Sequence, residues 1–131
     1  MKISVVGRIV ISVIVVLAVA ACASVEQKPM VLEPGEKTLV MKVESFKFEP
    51  NNIKAHRGDI LTVKLENIGS VEHNLTIKTP QGAALVSVDI PAKGTVNVRV
   101  NLAETGIYQF YCDKPMHPTL GMKGQIEVTA P

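Results

Sequence analysis

Cysteine is scarce in this chain, with two among 131 residues. Two cysteines exclude a small fold stapled by several disulfides. Charge of one sign is scarce as well. The formal balance is +2, and Lys2 and Arg8 at the extreme N-terminus account for that excess. The remainder carries 12 acidic residues against an equal number of basic ones, so it offers no basic stripe for nucleic acid. No apolar run reaches the ~20 residues that a spanning helix needs. The chain is also too short for two domains with workable cores. What it has in quantity is apolar sequence, 47% by residue, which excludes a disordered chain.

The apolar residues fall into two regions. Residues 1–21 show the order of an export signal: two positive charges before Ile9, an apolar stretch from Ile9 to Ala21 broken only by Ser12, and small residues at Ala18, Ala20 and Ala21. Val19-Ala20-Ala21-Cys22 resembles the bacterial lipobox, in which the cysteine becomes the lipidated first residue of the mature protein. Ordinary cleavage after Ala20 is the competing reading, since Ala18-Val19-Ala20 also fits a signal-peptidase site. Residues 22–36 lack a sustained period and hold two prolines and a glycine, and they are expected to form a lipidated N-terminus and tether.

From Lys37 to Pro131 the apolar residues alternate. Leu61, Val63 and Leu65 interleave with Thr62, Lys64 and Glu66. Val96, Val98 and Val100 do so with Thr95, Asn97 and Arg99, and Ile126 and Val128 with Gln125 and Glu127. A period of two means strands with one buried face. Turn signals separate them, among them Glu49-Pro50-Asn51-Asn52, Arg57-Gly58-Asp59, Asn67-Ile68-Gly69-Ser70, Thr79-Pro80-Gln81-Gly82, Pro91-Ala92-Lys93-Gly94 and Thr105-Gly106. The pattern predicts an all-β sandwich of seven to eight strands in one domain, residues 37–131.

The second cysteine, Cys112, ends one such strand. His117 and Met122 follow at five-residue intervals in a single loop. Thiolate and thioether are soft ligands and imidazole is intermediate, a set suited to copper in both oxidation states. A site of two histidines, one cysteine and a long axial methionine needs another histidine, and only His56 and His73 remain. His73 shares parity with Leu75 and Ile77, which turns its side chain to the buried face at a strand end. His56 sits in a hydrophilic stretch and reads as solvated.

These residues carry a family resemblance. The domain resembles the cupredoxins, the fold of plastocyanin and azurin, along most of its length. The likeness runs through Phe46-Lys-Phe48-Glu-Pro50 with Ile53, Arg57-Gly58-Asp59, Leu65-Glu-Asn67, Glu72-His73-Asn74 and Gly106-Ile-Tyr108-Gln-Phe110-Tyr-Cys112. It closes with His117, Gly121-Met122 and Gly124-Gln-Ile126-Glu-Val128. The spacing from Cys112 to His117 to Met122 is similar to that of rusticyanin. The resemblance implies a Greek-key sandwich holding one copper, with His73, Cys112 and His117 as equatorial ligands and Met122 as a weak axial one. It also implies that Asn74 ties the two ligand segments together near the thiolate.

The implied function is one-electron transfer between redox proteins of the cell envelope, by a non-enzymatic monomer anchored through Cys22 at the periplasmic or outer cell surface. Cys112 lacks flanking histidines, the loop lacks a second cysteine, and only His56 is left for another metal. A single mononuclear site follows. A periplasmic Cu(I) carrier or chaperone draws on the same soft donors, with Met30, Met41 and Met116 as further thioethers. A metal-free binding sandwich is a third class, and it leaves the Cys, His and Met without a reason to converge. Around His117, residues Pro115, Met116, Pro118 and Leu120 predict a small apolar patch for partner contact, with Lys114 and Lys123 at its rim favouring acidic partners. The lipobox reading has a direct check. Cys22→Ser is expected to release the protein from membranes in a fractionation experiment, and retention in the membrane fraction would contradict it.

Overall fold

A computed structural model describes residues 27–131 apart from Met116 and Pro118. The export signal of residues 1–21, the lipidation candidate Cys22 and those two loop residues lie outside the described set. No helix long and apolar enough to cross a membrane occurs among the described residues.

The chain forms strands β1 (Met30–Val31), β2 (Glu36–Glu44), β3 (Lys47–Glu49), β4 (Asn52–His56), β5 (Ile60–Asn67), β6 (His73–Lys78), β7 (Ala84–Ile90), β8 (Thr95–Asn101), β9 (Gly106–Tyr111) and β10 (Lys123–Thr129). Two sheets result, in the orders β1-β4-β10-β9-β6-β7 and β3-β2-β5-β8. This is the expected all-β sandwich. Its eight longer strands match the expected number, and two short ones of two and three residues come in addition. Neither is long enough to show a period, which is why alternation does not reveal them. One of them, β1, lies within the stretch expected as a tether. It pairs in parallel with β4, Met30 opposite Ile53, and the next N–H, that of Leu32, donates to the Lys54 carbonyl.

Alternation sets which face each strand buries. Leu61, Val63 and Leu65 on β5, Val98 and Val100 on β8, and Ile126 and Val128 on β10 all point into one core between the sheets. Tyr108 and Phe110 on β9 continue it, and Phe48 meets Phe110 edge to face. Fully burying side chains of this size is worth roughly 1.5–3 kcal/mol each. The turn signals read from the sequence fall between strands or at their ends. Gly58 and Gly106 adopt φ of 92° and 129° there, values at which a side chain would be strained.

His56 departs from its expected surroundings. It is the last residue of β4, opposite Thr129 of β10, and its side chain is largely covered. The hydrophilic Arg57-Gly58-Asp59 turn begins after it. Asp59 is itself buried. Its carboxylate accepts the N–H groups of Gly35 at 2.7 Å and of His56 at 2.8 Å, so it holds the start of β2 against the β4–β5 turn.

Burial alone would raise the Asp59 pKa. The two N–H donors, with the charges of His56 and Lys37, outweigh burial and hold it below the ordinary carboxylate value. A depressed folded-state pKa gives stability that is present above the unfolded value and lost as pH falls through the folded one. Chemical denaturation between about pH 5 and pH 2 is therefore expected to show stability falling toward acid. Asp59→Ala should flatten that dependence and lower stability near neutral pH by about 3 kcal/mol, since two donors to a charged acceptor lose their partner. An unchanged acid slope in the variant would remove Asp59 as its source.

Candidate metal centre

Cys112 follows β9 directly. Tyr108, Phe110 and Cys112 share one parity, so the strand that buries two aromatic rings also turns the thiol inward. Phenolic oxygen at the foot of this strand is tied down too, since the Glu104 N–H donates to the Tyr108 hydroxyl at 3.1 Å. His73 opens β6, whose side chains are buried from His73 through Ile77. Strands β6 and β9 are antiparallel neighbours, with Thr76 opposite Tyr111 and Ile77 opposite Phe110. Continued by two residues, that register sets Asn74 against Asp113. His73 and Cys112 thus leave the ladder at the same end.

The loop between Cys112 and Met122 is closed at its neck. The Cys112 N–H donates to the Met122 carbonyl at 3.1 Å, and the Met122 N–H donates to the His117 carbonyl at 2.9 Å. His117 in turn donates its N–H to the Lys114 carbonyl at 3.2 Å. Gly121, at φ 99°, supplies the left-handed residue that returns the chain to β10.

The side chains converge. Potential ligand atoms of His73, Cys112 and His117 all lie within 4.8 Å of one another. His117 Nδ1 is 3.3 Å from His73 Nδ1 and 3.3 Å from Cys112 Sγ. Bonds of about 2.0–2.3 Å from nitrogen and sulfur to one metal ion would put neighbouring ligand atoms at such separations. His73, Cys112 and Met122 are 0% exposed, while His117 is half-buried. Met122 is brought to this group by its two backbone bonds.

His73 decides between a structural and a ligand role. A buried imidazole kept for structure has its ring nitrogens hydrogen-bonded. Here Nδ1 faces only the cluster, and Nε2 is buried with no protein partner. Burial, reinforced by the nearby His117, holds the His73 pKa below its ordinary value. A neutral imidazole with one nitrogen aimed at a thiol and a second imidazole is a ligand waiting for a cation. The donor set of one sulfur and two nitrogens, with a thioether residue adjoining, fits a soft or borderline transition metal.

Asn74 lies between the two segments. Its Oδ1 accepts the Asp113 N–H at 3.2 Å, joining the segment after Cys112 to the segment after His73. Sequence reasoning did not find its supports. The Thr76 hydroxyl donates to the same Oδ1 at 3.2 Å, and Asn74 Nδ2 donates to Ser87 Oγ at 3.4 Å. Both are ordinary strand hydroxyls, and only the pairing of β6 with β7 brings Ser87 opposite Thr76. The sequence likewise assigns Asn67 no role. It is buried, donates to the Val71 and Ile90 carbonyls and accepts from the Gly69 N–H, which shapes the turn leading into His73. Phe46 is the third. Its ring meets that of His117 edge to face, with centroids 5.2 Å apart and planes at 84°. No turn residue marks that position in the sequence.

The expected charge at the rim needs correction. Lys114 Nζ lies 2.9 Å from Glu72 and 3.4 Å from Asp89. The hydrogen bond to Glu72 leads the causes that raise its pKa, against burial, and the two carboxylates neutralise its charge locally. Lys114 therefore serves as a strap between the two ligand segments and offers no free positive charge for acidic partners. Lys123 opens β10, opposite Tyr111. An open groove of about 560 Å³, lined by Asn51, Asn52, Gln109, Tyr111, Lys123 and Gln125 among others, contains none of the converging residues.

Comparison with known proteins agrees with this architecture. The family model described as a cupredoxin-like domain matches residues 9–128, and the chain belongs to that family. Among solved structures, dithionite-reduced auracyanin from Roseiflexus castenholzii is similar at 16% identity and a TM-score of 0.62, over 70% of this chain and 96% of that one. Auracyanin A, a blue copper protein from Chloroflexus aurantiacus, is similar at 18% identity and a TM-score of 0.62, over 72% of this chain and all of that one. The metal-binding domain of the Cu(I)-exporting P-type ATPase CopA from Streptococcus pneumoniae D39, solved with Cu(I), gives 16% identity and a TM-score of 0.60, over 78% and 96%. At these identities the likeness establishes the fold. No curated protein gives a sequence match.

Proposed function

We propose that the protein is a mononuclear blue copper protein that carries single electrons between redox partners of the cell envelope. His73, Cys112 and His117 would hold one copper ion, with Met122 as a weaker fourth ligand. Copper bound there supplies one-electron chemistry by alternating between Cu(I) and Cu(II).

The observation that carries this reading is the depth of the ligands. His73, Cys112 and Met122 are wholly inaccessible, so His117 alone among the four reaches toward solvent. Among the described residues the candidate donors leave little access for a substrate, which argues against catalysis. An electron needs only a nearby ring edge, and the exposed Phe46 and Leu120 provide apolar surface around the ligand loop. Small apolar contacts suit brief redox encounters. The auracyanin likeness points the same way. Export with an N-terminal lipid anchor on Cys22, leaving the residues ahead of β1 between anchor and domain, would place this site outside the cytoplasm.

Delivery of Cu(I) is the second reading, favoured by the likeness to a Cu(I)-loaded transporter domain. Ion hand-over proceeds by ligand exchange and calls for ligands that a partner can reach. Burial of three of the four candidates favours the electron carrier.

Rigid positioning of the donors is what the surrounding residues contribute. The β6–β9 ladder, the Asn74 bridge and the closed loop neck restrict relative movement of the ligands, so the site changes shape little when its charge changes.

A visible spectrum after copper addition separates the two readings. An intense thiolate-to-copper band is expected for the carrier, whereas a Cu(I) delivery protein stays colourless. Cys112→Ser should lose that band while its circular dichroism keeps the sandwich signature, because the core arises from the alternating strands. Persistence of the intense band in the variant would overturn the assignment. Met122→Leu should keep copper and colour but raise the reduction potential in a voltammetric titration, since removing a weak donor favours Cu(I). Loss of copper from that variant would instead make Met122 a primary ligand.

A further inference from the structure

Phe46 stands where the backbone resists it. The two-residue turn Ser45-Phe46 joins β2 to β3, with Glu44 paired to Lys47 across it. Phe46 adopts φ 69°. That left-handed conformation suits Gly or Asn, and it is an outlier for a bulky residue. The ring is not hidden in the core in compensation, for Phe46 remains 39% exposed. Its recorded aromatic contact is the edge-to-face one on His117. A strained conformation bearing an exposed apolar ring persists when the ring's position has a use.

Two further features frame that position. Lys47 Nζ bridges Glu44 at 2.9 Å and Glu49 at 3.2 Å, which braces the hairpin on both sides of the turn. On the facing side, a side chain built on Gly121 would come within 3.9 Å of the Phe46 carbonyl. The hairpin tip and the ligand loop thus lie close together, and the Phe46–His117 ring contact joins them although they belong to opposite sheets.

We infer that Phe46 is a positioning residue for His117, a lid from the four-stranded sheet that holds the outermost imidazole in its inward orientation and keeps water from its free side. The inference rests on the copper-site reading for its metal readout, yet the ring contact itself is independent of any ion. His117 is the candidate ligand with neither full burial nor a flanking strand to restrain it. An aromatic edge-to-face contact supplies that restraint.

The test uses the full-length protein loaded with copper and challenged with excess chelator, following loss of the visible band. Phe46→Ala is expected to release copper about three- to tenfold faster than wild type, the factor an edge-to-face pair is worth. Phe46→Tyr, which keeps the ring, should match wild type, and so should Leu85→Ala, an exposed apolar change on β7. Phe46→Leu keeps apolar cover without a ring; it should release copper faster than wild type, and it carries the test if the alanine variant folds poorly. Nitrogen-15 NMR of the copper-free protein gives a second readout, in which the His117 ring should become more mobile in Phe46→Leu. Wild-type release rates together with an unchanged His117 ring in both non-aromatic variants would overturn the proposal. A wild-type protein that binds no copper would sink the blue-copper reading instead, and the copper-free NMR comparison would still decide the lid.

Discussion

The short ladder between β6 and β9 is the constraint on which the site depends. His73 and Cys112 are 39 positions apart in sequence, and antiparallel pairing of Thr76 with Tyr111 brings them to one end of one sheet. Strand alternation then turns both inward, because each continues the parity of residues already in the core, Leu75 and Ile77 on one strand and Tyr108 and Phe110 on the other. The packing that stabilises the sandwich and the convergence of the ligands are thus products of the same register. A one-residue slip between the two strands would turn one of these side chains away from the other, to the opposite face.

Polar groups next to that ladder turn a convergence into a fixed geometry. Asn74 bonds the segment after Cys112, Thr76 and Ser87 secure Asn74, and the Lys114 strap to Glu72 and Asp89 crosses the same gap at the surface. The exposed strap contributes little by itself, roughly 0–1 kcal/mol for such ion pairs. The part-buried amide bridge from Asn74 contributes comparably or somewhat more, about 0.5–1.5 kcal/mol for a typical hydrogen bond. The bridge therefore penalises separation of the two ligand segments. His73 stays as the conspicuous exception: a buried ring whose Nε2 has no protein partner and whose Nδ1 faces other donors. A cation held among these donors would engage the cluster-facing Nδ1 and leave Nε2 as it is.

Much of this was legible in the sequence because strands write their faces at a period of two. The alternating runs around Leu61, Val98 and Ile126 gave away sheet and core, and turn residues separated them. The cluster of Cys112, His117 and Met122 within one loop announced soft-metal chemistry, and the parity of His73 with Leu75 identified the remaining histidine. The same method missed β1 and β3, which are too short to show a period, and it placed His56 in a turn that starts one residue later. It also read Lys114 as a free charge, since an ion pair between residues 42 positions apart leaves no local trace.

What the sequence by itself determined was therefore the alternation of the strands, the positions of their turns and the identity of the donor atoms, all of which follow from chemistry local to a few residues. Tertiary structure alone decided that Phe46 covers His117, that Thr76 and Ser87 support Asn74, and that Glu72 and Asp89 neutralise Lys114. Each of these pairs elements distant along the chain, and their meeting depends on sheet order and on how the two sheets face each other. Local patterns say which side of a strand is buried, but long-range pairing settles what it is buried against.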